Sequence, residues 1–337
     1  TMNDFEVPVF IVDDGGKLRI RAIGAFMRGD LGCEALYLQQ RGRRTGAGHW
    51  LQWADEQAPK APSPNPLLRD PYTTLRSDGA DQELAAAALC ASGTQVAPAL
   101  AVLEKARASA SGDRLTAIEL ALLAGQVTQK NRAGQLAVAE RLEAAFPGYA
   151  QAHLLVDEAL LAAGKHSELR RRLSSRPDTY LYRDLRAKLA IEEAKFDEAR
   201  AHYEAALSLE GVNRGATHSA IAWLSLFANN ADAAALEHAQ RAAQLEPQRV
   251  RHLGVVASLQ AELGRLHDAR QTLDLVLGMR RHGTPEPEDW WIVGRIAEQL
   301  SDAQDARAGY QRVVSDGKDD GPLSPVALAK RRLAKLR

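Results

Sequence analysis

Helical segments of similar length recur along most of this chain, and the breaks between them return at intervals of 34 to 37 residues in its second half. In the last four units, one small residue marks the equivalent position of the second helical segment: Ala199, Ala235, Ala269 and Ala306. Further equivalent residues follow four and seven positions later: Tyr203, Ala239, Leu273 and Tyr310, and then Ala206, Ala242, Val276 and Val313. A period of this size predicts stacked helix pairs, each of which packs on its neighbours, rather than one single compact core.

These residues resemble the tetratricopeptide (TPR) repeat, a helix-turn-helix unit of about 34 residues. Gly264, the Trp290 and Gly294 pair, and the helix-ending Pro147 and Pro247 fall where that repeat has small, aromatic and proline residues. Small residues let two helix backbones approach closely, while an aromatic side chain fills the groove between neighbouring repeats. The resemblance implies antiparallel helix pairs that stack into an α-solenoid.

We therefore expect a mostly α-helical protein with about seven TPR-like hairpins over residues 79–320. The first three units are more degenerate than the last four, at roughly 82–110, 115–146 and 150–175. Residues 321–337 predict a basic amphipathic helix. Its apolar stripe holds Val326, Ala329, Leu333 and Leu336, and its basic residues, among them Arg331 and Arg332, lie opposite. Binding to a membrane surface is an alternative for this helix, but capping of the last open repeat is the favoured interpretation.

The N-terminal region has a different character. Residues 1–56 predict a small α+β segment, with a β-hairpin around Asp13-Asp14-Gly15-Gly16 followed by two short helices. Residues 57–78 contain five prolines, at positions 59, 62, 64, 66 and 71. Proline lacks an amide hydrogen and fixes φ, so this segment predicts an extended linker or strap and a domain boundary.

Composition and motifs argue against several classes of function. The chain of 337 residues has 43 Lys and Arg against 43 Asp and Glu, a balance that disfavours a dedicated nucleic-acid binder. No apolar run approaches the ~18 residues of a membrane span. Cys33 and Cys90 lack metal-ligand spacing, and no nucleophile elbow or phosphate loop occurs. We expect no catalytic residues, no metal and no cofactor, and a cytoplasmic location unless the chain is a fragment of an exported protein.

The candidate site is the concave groove that first helices line in a TPR array. The resemblance places Trp223, Arg251, Trp291, Arg295 and Glu298 at inward-pointing positions. Tryptophan and arginine are enriched at binding hot spots, because a rigid aromatic ring and a planar cation bury well. The alternative is that Trp223 and Trp291 pack between helices.

The sequence therefore favours a non-catalytic scaffold or adaptor that holds a peptide or a partner protein in this groove, with no nucleic acid and no membrane. Two alternatives stay open. One is a homo-oligomerisation module. The other is the regulatory or substrate-positioning arm of a larger bacterial enzyme, because GHWLQWADE, the helices around 221–245 and PEDWWIVGRIAEQ look like the TPR tail of multidomain proteins with transglutaminase-like domains.

Overall fold

The computed structural model describes residues 11–12, 18–19, 82–93, 95–147, 150–280, 285–317 and 321–336. Two short strands, β1 (Ile11–Val12) and β2 (Leu18–Arg19), pair antiparallel, with Ile11 opposite Arg19. The rest of the predicted hairpin, the two short helices and the proline-rich segment lie outside the described residues. Those expectations, and the boundary at 57–78, stay predictions.

From residue 82 onward, every described regular element is an α-helix, and consecutive helices are joined by short turns. The first six helices are α1 (Gln82–Ser92), α2 (Val96–Arg107), α3 (Gly112–Thr128), α4 (Arg132–Ala145), α5 (Ala150–Ala162) and α6 (His166–Leu173). The next eight are α7 (Tyr180–Glu192), α8 (Phe196–Ala206), α9 (Arg214–Ala228), α10 (Ala233–Leu245), α11 (Val250–Glu262), α12 (Leu266–Met279), α13 (Pro287–Gln299) and α14 (Ala303–Asp316). A last helix, α15, runs over Pro325–Lys335. From residue 82 onward, the described chain is thus mostly α-helical and built of successive helix pairs.

The chain divides into two compact units, residues 2–169 and residues 170–337. Within the first unit, α1 and α2 both pack on α3, and α4 packs on α3 and α5. Within the second unit, each helix from α7 to α14 packs on the next or on the next but one, and α15 packs on α13 and α14. These neighbour-to-neighbour contacts are typical of a repeat protein.

The alanines that define the sequence period occupy equivalent places in the second unit. Ala199, Ala235, Ala269 and Ala306 lie near the starts of α8, α10, α12 and α14, and each is fully buried. The residues four and seven positions later are buried as well. The prediction that these four alanines mark one repeated environment is confirmed, and the reason is steric, because a larger side chain would hold the paired helices apart.

One residue in the left-handed conformation ends the first helix of each described pair. The seven residues are Gly93, Lys130, Gly164, Ala194, Asn229, Gly264 and Ser301, with φ between 55° and 76°. At Ala194 the amide donates to the carbonyl of Ile191 at 2.9 Å, and the next amide, of Lys195, donates to the carbonyl of Ala190 at 2.8 Å. This paired bonding satisfies the last carbonyls of the helix and reverses the chain. A left-handed turn residue therefore precedes the second helix of each described pair, whether that residue is glycine or not.

A close helix approach with glycine on both sides joins α13 to α14. A methyl group added at Gly309 would lie 2.8 Å from the Cα of Gly294 and 2.9 Å from its nitrogen. A methyl group added at Gly294 would lie 2.8 Å from the ring of Tyr310. Glycine is required at Gly309 because backbone atoms, which cannot swing aside, fill the space. This contact fixes α13, the helix that carries three of the candidate site residues.

Candidate functional site

The five predicted site residues lie on the first helices of the last three pairs, on α9, α11 and α13. Trp291 is 1% exposed, Trp223 7% and Arg295 8%, whereas Glu298 is half-buried and Arg251 is exposed. The burial of both tryptophans agrees with the alternative that they pack between helices. They are core side chains here, and their role in binding a partner stays a prediction.

Trp223 is covered by the segment that leads into α15. Its indole nitrogen donates a hydrogen bond to the carbonyl of Leu323 at 3.1 Å. Its ring meets the edge of Phe227 with a centroid distance of 5.6 Å, and Phe227 lies 5.8 Å from Phe196. An indole N–H usually finds an acceptor when it is buried. The acceptor comes from the C-terminal segment, so that segment is part of the surroundings of Trp223.

Two carboxylates and two guanidinium groups meet where α11, α13 and α15 come together. Arg295 donates to Glu262 at 2.7 Å and lies 3.1 Å from Glu298. Arg332, from α15, donates to Glu262, and its other terminal nitrogen lies 3.5 Å from Glu298. The hydroxyl of Tyr310 donates to Glu298. We call the surface of Trp223, Phe227, Glu262, Arg295 and Glu298 the inner face.

The electrostatics of this cluster follow from its partial burial. Burial by itself lowers the pKa of Arg295. The carboxylates of Glu262 and Glu298 raise it by more, so the net shift of the pKa is upward. Burial raises the pKa of Tyr310, and the hydrogen bond to Glu298 adds to that effect. Arg295 is thus a fixed cation and Tyr310 a fixed donor at neutral pH. The protonation states of these two groups therefore do not change near neutral pH.

Helix α15 contacts the inner face through basic as well as apolar residues. Val326, Leu328 and Ala329 are buried. Arg331 donates to the carbonyl of Phe227 at 3.0 Å and lies over the Phe227 ring at 5.8 Å. The helical pattern of the sequence predicts Arg331 and Arg332 opposite the apolar stripe of this helix. Both residues nevertheless contact the inner face, because their long side chains reach back to its carboxylates and to a backbone carbonyl.

Sequence reasoning therefore missed Glu262, Arg331 and Arg332 as contacting residues. A signal was present, since Glu262 and Glu298 lie at the ends of two successive first helices and a pair of arginines follows at 331–332. Opposite charges at the ends of repeated elements and on a terminal helix are candidates for pairing. The fold was needed to show that the terminal helix comes within reach.

Histidine and cysteine side chains are the other candidates for chemistry in the described residues. No group of three or more His, Cys, Asp or Glu in that part of the chain could hold a metal ion. The Nδ1 atoms of His218 and His238 lie 2.8 Å apart, which allows one hydrogen bond between two neutral rings. Burial raises the pKa of Cys90 to about 12, so its thiol stays protonated and packs as a small apolar group. Cys33 lies outside the described residues.

Two buried polar atoms, at positions that the resemblance predicts to point inward, have no hydrogen-bond partner among the described residues: the hydroxyl of Ser258 on α11 and the indole nitrogen of Trp291 on α13. Such atoms are uncommon in a folded protein, because leaving them unpaired costs the free energy of their desolvation. None of the helices in the described part is long and apolar enough to cross a bilayer.

Three comparisons relate this chain to known proteins. No protein-family model matches it, and no curated protein sequence matches it significantly. Among solved structures, the one described as "Crystal structure of APC/C hetero-tetramer Cut9-Hcn1" is similar, with a TM-score of 0.47 and 15% sequence identity. The match covers 91% of this chain and 67% of that one. At this distance, it assigns neither a function nor a partner.

Proposed function

We propose that this protein is a non-catalytic interaction scaffold whose last four helix pairs hold a partner protein on the surface formed by their first helices. The observation that carries the proposal is the inner face itself. First helices that pack in series present one side of each, and on this side the chain concentrates two carboxylates, a guanidinium group and two aromatic rings. The helix α15 and the segment before it contact this side.

One cation near the proposed binding surface is open to solvent. Arg251 is exposed on the first helix α11, at a position that the resemblance predicts to point inward. It is available to a bound chain, unlike the buried polar atoms of Ser258 and Trp291.

A preformed array also lowers the entropy lost on binding. The helices already fix the positions of the contacting side chains, so ordering falls mainly on the bound segment. This is the physical advantage of a repeat protein for holding an extended or helical ligand. The alternatives of an oligomerisation module and of an arm of a larger enzyme stay predictions.

The test compares three full-length baits in a quantitative pull-down from the source cell. We expect Arg251→Glu to lose roughly 80% of the partner that the wild type captures, because the substitution reverses an exposed charge at the start of α11, at the opposite end of that helix from Glu262. Arg270→Glu is the matched control, since Arg270 is exposed on the second helix α12. Both variants keep the melting temperature of the wild type. If both variants lose the partner equally, or if neither loses it, the first-helix surface is not the binding site.

A further inference from the structure

Helix α15 contacts the inner face with side chains that define the chemistry of an occupant. Its two arginines contact opposite ends of that face: Arg331 reaches Phe227 on α9, and Arg332 reaches Glu262 on α11 and Glu298 on α13. Three apolar residues before them are buried. The inner face is thus already a receptor for a helix in which buried apolar residues are followed by two consecutive arginines.

The charges of the inner face favour a cationic occupant. Glu262 and Glu298 are both partly buried beneath α15, and α13 brings one guanidinium group, that of Arg295, into contact with both. Arg332 supplies a second guanidinium group from α15. If α15 left, water would reach both carboxylates, which would keep only Arg295 and the hydroxyl of Tyr310 as contacting partners. The vacated cluster would then carry more negative than positive charge, and it would attract a basic helix more than an acidic one.

The attachment of α15 is less extensive than that of a helix inside the array. The helix has 11 residues, and an isolated helix of that length is marginal in water. Three of its residues are fully buried, and Ala327, Leu333 and Leu336 are partly buried against the same core, whereas α13 buries six residues that include Trp291. Residues 317–324 separate α14 from α15, a length of chain that lets α15 leave the face while α14 stays in place.

We propose that the inner face binds a basic amphipathic helix of a partner protein and that this helix displaces α15. The inference rests on the proposed function and names the partner chemistry for the same surface. The partner helix carries small or branched apolar residues on one side and two consecutive arginines about one turn further on. It is longer than α15, so that it gains contacts along the first helices which α15 does not make.

A second copy of this chain is the less favourable source of the helix. Its α15 would make the same contacts that the chain's own α15 makes, and it would lose the advantage of the short tether. Short flexible tethers give effective concentrations on the order of millimolar. An identical helix from another molecule makes no additional contacts that could offset this effective concentration, whereas a longer partner helix makes additional contacts.

The first experiment measures binding of a fluorescent peptide with the sequence of residues 321–337 to full-length chains. The wild type, whose own α15 competes, binds it weakly. We expect Arg332→Glu to bind the peptide roughly tenfold more tightly, because the competing helix is weakened while the face is intact. Lys335→Glu is the matched control, since it makes the same change of charge at an exposed residue of the same helix, and it binds like the wild type. Equal affinity of all three chains overturns the proposal.

A second measurement needs no substitution and decides the case if Arg332→Glu fails to fold. Hydrogen exchange is followed in the ¹⁵N-labelled wild-type chain, with and without a large excess of unlabelled peptide. Displacement makes the amides of 326–335 exchange roughly tenfold faster and leaves those of α13 unchanged. If the amides of α15 exchange as slowly as those of α13, both with and without the peptide, α15 is a permanent part of the fold and the proposal is wrong.

The remaining outcomes are also decisive. Dimers that form with rising wild-type concentration, and that dissociate when the peptide is added, would assign the face to a second copy and overturn the partner assignment. If the peptide fails but Arg251→Glu still loses its captured partner, the scaffold function stands and only the basic-helix chemistry is wrong.

Discussion

The first three helix pairs, α1–α6, and the last four, α7–α14, have the same turn, but they differ in the side chains that follow it. In the last four pairs, an alanine follows the left-handed turn residue by five or six positions and is fully buried. In the earlier pairs, Leu169 and Gln135 stand five positions after that residue. A small residue appears instead on a first helix, where a methyl group added at Gly125 would lie 2.6 Å from Leu100 and 2.8 Å from Cys90.

The comparison shows that the helix pairs share their turn, whereas the place of the small residue at a helix contact changes along the chain. The repeat is not defined by alanine at one fixed position. The side-chain volumes in each pair are adjusted to one another, as expected for interiors packed at crystal-like density. A pair should therefore tolerate the residues of another pair poorly, although their backbones are alike.

The largest effect should come from the glycine contact of the last pair. Gly309→Leu forces a side chain against the backbone of α13, and we expect a loss of about 4 kcal/mol in the free energy of unfolding, at the upper end for overpacking. Urea unfolding followed by circular dichroism measures it. Gly254→Ala is the control, because nothing lies within 4 Å of a methyl group there, and it should be neutral or stabilising by about 0.5–1 kcal/mol. A small effect of Gly309→Leu would show that α13 and α14 can separate without loss.

A reciprocal exchange tests whether the two groups of pairs are interchangeable. Leu169→Ala should cost about 3 kcal/mol because it leaves a cavity around a fully buried position. Ala269→Leu should cost about 2 kcal/mol because it overfills the equivalent position in α12. Thermal unfolding of both variants gives the values, and Leu181→Ala, at a residue that is 43% exposed, serves as the control. Neutral results for both exchanges would mean that the cores adapt freely.

Acid should weaken the second unit through its histidines. Burial lowers the pKa of His202, His218, His238 and His252. A histidine with a lowered pKa in the folded state takes up a proton more readily when unfolded, so stability is present above the unfolded pKa of about 6.5 and falls as the pH drops below it. Each such residue contributes at most about 1.4 kcal/mol per pH unit.

The measurement is the melting temperature between about pH 7.5 and pH 5, on either side of the ordinary histidine pKa. It compares the wild type with His252→Gln, which replaces a residue that is 3% exposed. The variant should show a shallower decline than the wild type. A decline of equal slope would indicate that His252 does not contribute to the acid sensitivity.

The smallest effect should come from the turns. Ala194 holds φ at 57°, a conformation that crowds its Cβ against the backbone. Ala194→Gly removes that strain and should stabilise the protein by about 1 kcal/mol, whereas Gly164→Ala should destabilise it by a similar amount. Differential scanning calorimetry of the two variants gives opposite shifts if the turns are equivalent. Shifts of the same sign would show that the turns of the two groups differ.

The sequence was sufficient for the period, the helical class and the buried alanines, because a small residue that recurs at one position of a helical repeat marks a place where two backbones meet. It was less informative about the turns, since Gly164 and Gly264 are recognisable while Lys130, Ala194 and Ser301 adopt the same conformation without a local signal. Tertiary packing imposes that conformation on them.

The candidate site could be predicted only in part. The periodicity locates first helices, and the resemblance gave inward-pointing positions, but neither reveals how much of a side chain a distant segment covers. Trp223 is covered by the backbone at Leu323, a hundred residues further along the chain. Contacts of that separation depend on where the last helix folds back, which no local pattern encodes.

The hydrogen bond between the indole of Trp223 and the carbonyl of Leu323 also gives the molecule an optical reporter of its own state. When that carbonyl moves away and water reaches the ring, the emission of Trp223 shifts to longer wavelength and becomes accessible to iodide quenching. Difference spectra against Trp223→Phe would isolate this signal from the other tryptophans. Release of the C-terminal segment could then be timed in a stopped-flow cuvette with no dye attached.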